Sequence, residues 1–297
     1  MSRAMEQDIG LIGFGEAGST FARAGSWGLR AAAFDILWAD PTMAERIADT
    51  GIVPADSLAM LMQGAPTILS LVTADQALAV AQAAARHLPP GTLYCDGNSV
   101  APQTKQAAAR AVEAAGGHYV DVAIMAPVDP ARLAVPLLLS GGRAAEAQAR
   151  LGALGFGNSR IVGDAVGRAS SIKMIRSVMV KGMEALTAEC VIAARQADVL
   201  DEVLASLDAS DKARTWRERA DYNLDRMMVH GLRRAAEMEE VVRTLDGLCT
   251  GSVMTRGTVE RQRAIGMLGL KPPPAGLAEK LATLAADMVE YQKAELP

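Results

Sequence analysis

The sequence predicts a doubly wound α/β sheet domain followed by an all-helical domain, and three observations carry that prediction. In the first half, short apolar runs alternate with amphipathic stretches, the pattern of βαβ units in a parallel sheet. The first of these runs enters a glycine-rich turn that opens a helix. After Gly167 the strand-like runs stop and helical periodicity continues to the end. The 297 residues suffice for two domains of about 150 residues each. The change of pattern puts the boundary near Asp164–Gly167, giving a sheet domain over 1–164 and a helical domain over 165–297.

The strand candidates, in order, are Ile9–Gly13, Ala31–Asp35, Thr67–Val72, Thr92–Asp96, His118–Val122, Pro136–Ser140 and Ser159–Val162. Helical stretches separate them, among them Gln76–His87 and Pro102–Ala115. Pro102 suits a first helical turn, where its missing N–H costs little. Beyond Gly167, Ala169 to about Ala197 reads as one long proline-free helix. Asp201–Leu207, Lys212–Met227, Gly231–Leu245, Ser252–Met267 and Ala275–Leu296 read as further helices, the last two parted by Pro272, Pro273 and Pro274.

Half the residues are hydrophobic and 22% are charged, which suits a soluble globular chain. A formal charge of −4 gives no electrostatic reason to expect nucleic acid or an anionic membrane as partner. The cysteines, Cys95, Cys190 and Cys249, are odd in number and widely separated, with neither a disulfide framework nor a zinc spacing. They read as reduced thiols of a cytoplasmic protein. The N-terminal MSRAMEQ is too short for a signal peptide, and no apolar run nears the ~20 residues of a membrane span. No His, Cys or carboxylate cluster has metal-ligand spacing, so no metal is expected.

Gly13, Gly15 and Gly18 stand at G-x-G-x-x-G spacing in the run Ile9-Gly10-Leu11-Ile12-Gly13-Phe14-Gly15-Glu16-Ala17-Gly18. Gly13 permits the turn, Gly15 lets the backbone approach a pyrophosphate, and Gly18 lets the helix pack on the strand with its N-terminus facing the phosphates. Alone the motif is weak. Here an apolar strand precedes it, a helix follows, and Asp35 ends the second strand about 20 residues on, as a dinucleotide site requires. The Asp35 carboxylate suits both adenosine ribose hydroxyls and would repel a 2′-phosphate. No Arg or Lys follows it in Ile36-Leu37-Trp38-Ala39, which favours NAD and leaves NADP open. Contacts to the dinucleotide are expected at Gly13, Phe14, Gly15, Glu16, Ala17, Gly18 and Asp35, and at Val72 and Thr73 at the end of the third strand.

Three segments resemble the β-hydroxyacid dehydrogenase superfamily, which includes 6-phosphogluconate and 3-hydroxyisobutyrate dehydrogenases. They are GLIGFGEAGSTFARAG at the N-terminus, Asp96-Gly97-Asn98-Ser99-Val100-Ala101-Pro102, and Gly167 to Ser177 (GRASSIKMIRS). The stretch from His230 to Glu240 resembles a phosphogluconate-dehydrogenase-like branch, so the resemblance spans essentially the whole chain. It implies that Lys173, on an interdomain helix, is the general acid/base. The chemistry agrees, because something must take the hydroxyl proton as hydride leaves. A lysine does so near neutral pH only if desolvation or a neighbouring cation lowers its pKa. Ser177 lies one turn on, where the family usually has Asn, and is implied with Asn98 and Ser99 to position substrate. For Asn98 and Ser99, a cap of the helix from Pro102 is the competing reading.

Met125-Ala126-Pro127 departs from the family's Ser-Gly-Gly, whose backbone grips a substrate carboxylate. A bulky Met125 against the substrate and an N–H-less Pro127 point to a larger or less polar substrate. The Ile124-Met125-Ala126 string resembles imine reductases, which usually carry Asp or Tyr in place of the lysine. Their chemistry stays an alternative, as does a dinucleotide-binding module that has lost catalysis. The family commonly dimerises through the helical domain, so a homodimer is implied. His87 reads as solvated and His118 as structural. His230, Arg233, Arg234 and Glu237 share a helical face and read as an ion-paired surface, with an anion site as the alternative. The Met227–Met228 pair reads as core or dimer packing.

Overall fold

A computed structural model describes residues 7–210, 215–247 and 249–284. The chain divides into two compact units, Met1–Val178 and Met179–Pro297.

In the first unit the strands are β1 (Ile9–Ile12), β2 (Ala31–Phe34), β3 (Val53–Pro54), β4 (Thr67–Ser70), β5 (Leu93–Asp96), β6 (His118–Ile124), β7 (Leu137–Ser140) and β8 (Ser159–Gly163). The helices are α1 (Glu16–Gly25), α2 (Pro41–Ala48), α3 (Leu58–Gly64), α4 (Ala77–Ala85), α5 (Pro102–Ala114) and α6 (Ala144–Ala153), with α7 (Arg168–Gln196) starting in this unit. The strands form one sheet in the order β3-β2-β1-β4-β5-β6-β7-β8. This is the doubly wound, Rossmann-type arrangement.

Side chains alternate along each strand, so a sheet covered on both sides carries two cores. Ile9 and Leu11 of β1, Cys95 of β5 and Val120 and Val122 of β6 face one side. There they meet Phe21 of α1, Ile47 of α2 and Leu151 of α6. Ile12, Ile68, Tyr94 and Tyr119 face the other, against Leu61 of α3, Ala84 of α4 and Val112 of α5. Each fully buried aliphatic or aromatic side chain in these cores is worth about 1.5–3 kcal/mol.

Two features depart from the sequence reading. First, β6 and β7 pair antiparallel, as Asp121↔Ser140 through Ile124↔Leu137. A parallel return needs a crossover, usually a helix, and the link here holds only a short 3-10 turn at Arg132–Ala134. Second, β3 is a two-residue edge strand ending in Pro54, tolerated there because an edge need not donate on its outer side. It is too short to show as an apolar run. Pro102 does open α5, with Ala101 as N-cap. The first turns of α7 belong with the sheet because Ala169 is buried against Ala123 and Leu138.

The second unit is helical. It comprises the rest of α7, then α8 (Leu200–Ser210), α9 (Trp216–Gly247), α10 (Val253–Gly266) and a helix over 276–284. The predicted start at Lys212 and the stretch beyond 284 lie outside the described residues. Where the sequence suggests a break near Gly231, α9 runs through without one. Gly231 serves close helix packing instead: a Cβ there would sit 2.4 Å from the Gln262 carbonyl oxygen and 2.7 Å from Gly266 Cα on α10. Lys280 ties the 276–284 helix to α9 through Asp221 and Asp225, each at 2.7 Å. Among the described residues no helix is long and apolar enough to cross a membrane.

Helix propensity alone favours Ala over Gly by about 1 kcal/mol, so at a solvated site Gly231→Ala would stabilise. Here the expected result is the reverse, a loss of about 1–3 kcal/mol from overpacking, read as a lower thermal midpoint.

Candidate active site

Strand order reverses at β1 and β4. The helix after β1 covers one face and the helix after β4 the other, so the loops leaving these strands diverge and open a crevice. A cleft of about 410 Å³ lies there. Glu16 and Ala17 of α1 line it with Leu71 and Val72 after β4, Asn98 and Ser99 after β5, and Lys173 of α7. Its remaining wall includes Ile124, Ala126, Pro127 and Val128.

On the α1 side the three glycines divide the work. Gly13 turns the chain at φ +89°, and a Cβ there would meet the Leu71 carbonyl oxygen at 2.6 Å. A Cβ on Gly18 would lie 2.5 Å from the Gly13 carbonyl oxygen, so Gly18 lets α1 sit on the strand end. Around Gly15 nothing lies within 4 Å of the Cβ position. Gly15 is the N-cap of α1 and no side chain caps that helix. The result is an uncapped helix N-terminus with open space before it, which fits a pyrophosphate.

Asp35 holds this turn in place. One carboxylate oxygen accepts from the Phe14 N–H at 2.7 Å and the other from the Leu37 N–H at 2.9 Å. Each oxygen retains a lone pair for a ribose hydroxyl. The residues after it, Ile36, Leu37 and Trp38, are exposed and apolar. These groups together fit a dinucleotide whose 2′ position is a free hydroxyl. Val72 lines the cleft, whereas Thr73 is exposed outside its lining.

On the opposite side Lys173 is half-buried, and its Nζ donates to Ser99 Oγ at 2.5 Å. The amine therefore faces one cleft with Glu16 and Ala17, the first residues of α1 after the glycine turn. The other expected substrate contacts fall differently. Asn98 is buried with both ends of its amide engaged: Oδ1 accepts from Val72 N–H at 2.6 Å and Nδ2 donates to Ser70 Oγ at 3.0 Å. It acts as a strut between the β4 and β5 loops. Neither Asn98 nor Ser99 is the N-cap of α5, which is Ala101. Ser177 Oγ donates to the Lys173 carbonyl at 2.9 Å, its own helix backbone. Met125 packs against the cluster of Ala123, Leu138 and Ala169, outside the cleft lining, and the adjacent Ala126 and Pro127 form the wall.

Beneath the cleft is a buried polar cluster that the sequence reading missed. Lys105 of α5 is fully buried. Its Nζ donates to the Asp96 carbonyl at 2.6 Å and to Asp96 Oδ1 at 2.9 Å, and lies 3.4 Å from Asp121 Oδ1. Tyr119 OH donates to Asp96 Oδ2 at 2.6 Å, and Asn98 N–H donates to Asp96 Oδ1 at 2.9 Å. The available signal was polarity at core-phase positions: an Asp closing one apolar run, another inside the next, and one lysine in an alanine-rich helix. Breaking such a buried pair costs about 3–5 kcal/mol.

His87 is exposed, and His118 is partly buried at the start of β6. His230, Arg233 and Arg234 lie on α9, where burial first and then Arg226, Arg233, Lys271 and Arg234 hold the His230 pKa below its ordinary value. The Glu237 side chain lies outside the described residues.

Residues 8–154 match the family described as NAD binding domain of 6-phosphogluconate dehydrogenase, and residues 194–265 match a domain of unknown function, DUF1932. A conserved hypothetical protein from Sinorhizobium meliloti 1021 is 37% identical, over 95% of this chain and 97% of its own, with a TM-score of 0.59. A conserved protein described as structurally similar to 3-hydroxyacid dehydrogenases is 30% identical, over 90% of this chain and 100% of its own, with a TM-score of 0.57. An imine reductase from Myxococcus stipitatus, solved in complex with NADP+, shares the fold at 18% identity and a TM-score of 0.69, over 88% and 95% of the two chains. No curated protein matches the chain.

Burial, then the neighbouring Asp96 charge, pushes the phenols of Tyr94 and Tyr119 well above the ordinary value of 10.0. Their folded-state values exceed the unfolded ones, so the stability they contribute is complete below about pH 10 and declines as pH rises beyond it. In an alkaline titration followed at 295 nm, both should keep their protons past about pH 10 and ionise together with the loss of helical circular dichroism. Their ionisation in a chain that is still folded would contradict this.

Proposed function

This chain belongs to the 6-phosphogluconate dehydrogenase-like, β-hydroxyacid dehydrogenase superfamily, and we propose that it moves hydride between a nicotinamide dinucleotide and the carbon bearing a secondary alcohol or its ketone. One observation supports the reading most: the Lys173 amine, held on Ser99 at 2.5 Å, shares a cleft with Glu16 and Ala17, which open the helix after the glycine turn of an NAD-binding domain. The β-carbon of a hydroxyacid is the carbon implied by the family.

Residues 8–154 are the NAD-binding domain. The dinucleotide, when bound, supplies the hydride acceptor or donor. Gly13, Gly15 and Gly18 admit its pyrophosphate to the α1 N-terminus, flanked by Phe14, Glu16 and Ala17, and Asp35 takes the ribose hydroxyls. Lys173 removes the alcohol proton in oxidation and returns it in reduction. Ser99, accepting one Nζ–H, holds the amine beside the cleft. If the product is a β-keto acid, the same amine can protonate the enolate formed as carbon dioxide leaves. Asn98 shapes the wall through Val72 and Ser70, and Ser177 supports the backbone of Lys173.

Ile124, Ala126, Pro127 and Val128 present no charged group to the substrate. That wall favours an apolar flank over a second carboxylate and equally suits reduction of a C=N bond, the chemistry named for the imine reductase that shares the fold. Leu207, Leu232 and Val253 are exposed on the helical unit, which suits a homodimer. The three free thiols suit a reducing cytoplasm.

A panel of secondary alcohols and β-hydroxyacids for oxidation, set against cyclic imines for reduction, decides the bond type. With the best substrate, Lys173→Ala should lower kcat about 10²- to 10⁴-fold while NADH still binds. Undiminished turnover sinks the assignment, and tight NADH binding with no substrate turned over points to a lapsed enzyme. Asp35→Asn should weaken NADH about tenfold or more and narrow its advantage over NADPH, as read by nicotinamide fluorescence.

A further inference from the structure

The first-turn amides of a helix need acceptors from outside it. Gly167, which precedes α7, has no side chain to offer, and the acceptors come from the sheet. Asp121, inside β6 and fully buried, takes three donors on one oxygen, Oδ2: Gly167 N–H at 3.2 Å, Ser170 N–H at 2.9 Å and Ser170 Oγ–H at 2.9 Å. Ser140 of β7 accepts the Ala169 N–H at 3.0 Å, and its own hydroxyl lies 3.4 Å from the same Asp121 oxygen.

A carboxylate at the positive end of a helix, dry and charge-assisted, is the strongest form such a cap takes. The other Asp121 oxygen lies 3.4 Å from Lys105 Nζ, close enough for charge attraction, though it forms no hydrogen bond. The buried cluster thus grips β5 and α5 through Asp96, and α7 through Asp121. Lys173 lies three residues beyond Ser170, on the next turn. Its amine reaches from a helix docked on β6 to Ser99 beyond β5, and a small slip or rotation of α7 would break that 2.5 Å contact.

We propose that Asp121 is a positioning residue for Lys173, its carboxylate setting the axial and rotational place of α7 so that the amine meets Ser99. This rests on Lys173 being the acid/base, but its test needs no turnover. Trace acetylation by acetic anhydride across a pH series, quantified by peptide mass spectrometry, gives the titration of Lys173. Exposed Lys271 serves as internal reference. Asp121→Asn should move the Lys173 profile by about one pH unit or more, an about tenfold change in free amine below the midpoint, with Lys271 unchanged and NADH still bound. Ser140→Ala should move it the same way by less, and it decides the matter if Asp121→Asn does not fold. Tyr119→Phe cuts the same cluster at its Asp96 end. It should lower the thermal midpoint and leave the Lys173 profile alone. A Lys173 profile unmoved by both α7-side variants, or moved as much by Tyr119→Phe, overturns the proposal. A failed substrate panel with a shifted Lys173 profile would refute the dehydrogenase reading alone.

Discussion

A parallel sheet wound in two directions must part its loops where the winding reverses, and the cleft of the first unit follows from that constraint. Beyond the paired ends of β1 and β4 the chain continues to opposite faces of the sheet, so a cleft forms without being carved by side chains. The glycine turn supplies open amides on one side of the gap. The β5 and β6 loops supply the opposite wall. Because the site sits on strand ends, its geometry is inherited from the hydrogen-bonded sheet rather than from flexible surface loops.

What the constraint does not supply is the amine of Lys173, the proposed proton carrier. The amine comes from α7, which starts after the last strand and must be registered on the sheet by other means. The buried cluster of Asp96, Lys105 and Asp121 provides that registration at the cost of desolvating three charges. A purely apolar junction of similar volume would hold the helix against the sheet. It would not fix where along the axis each turn falls, because hydrophobic contact is non-directional. Hydrogen bonds from the backbone of Gly167, Ala169 and Ser170 are directional, and they are found at the end nearest the lysine.

Much of this was legible in the residues. Seven of the eight strands show as largely apolar runs, clearest where a strand such as β1, β4 or β7 is buried along its whole length. Gly13, Gly15, Gly18 and Asp35 could be read from spacing, because the turn leaves few other residues possible. Legibility failed where meaning depends on a distant partner. Gly231 reads as a break until Gly266 is seen against it. Lys105 draws no notice in its alanine-rich helix until Asp96 is placed against it. Met125 and its neighbours share a loop, and only the antiparallel register of β6 and β7 decides which of them face the cleft. Asn98 and Ser99 were found by motif, but one proved a strut and the other a contact of the amine.

The antiparallel return from β6 to β7 has a consequence for how such a chain diversifies. The connecting segment, residues 125–136, is closed at its base by the Met125 N–H to Pro136 carbonyl bond at 2.9 Å, and it carries part of the apolar wall. A loop clamped at both ends between neighbouring strands can exchange its side chains without disturbing the glycine turn or Lys173, which belong to other elements. The shape of that wall and the position of the amine are thereby separable: a dozen loop positions can change while Lys173 keeps its place on α7.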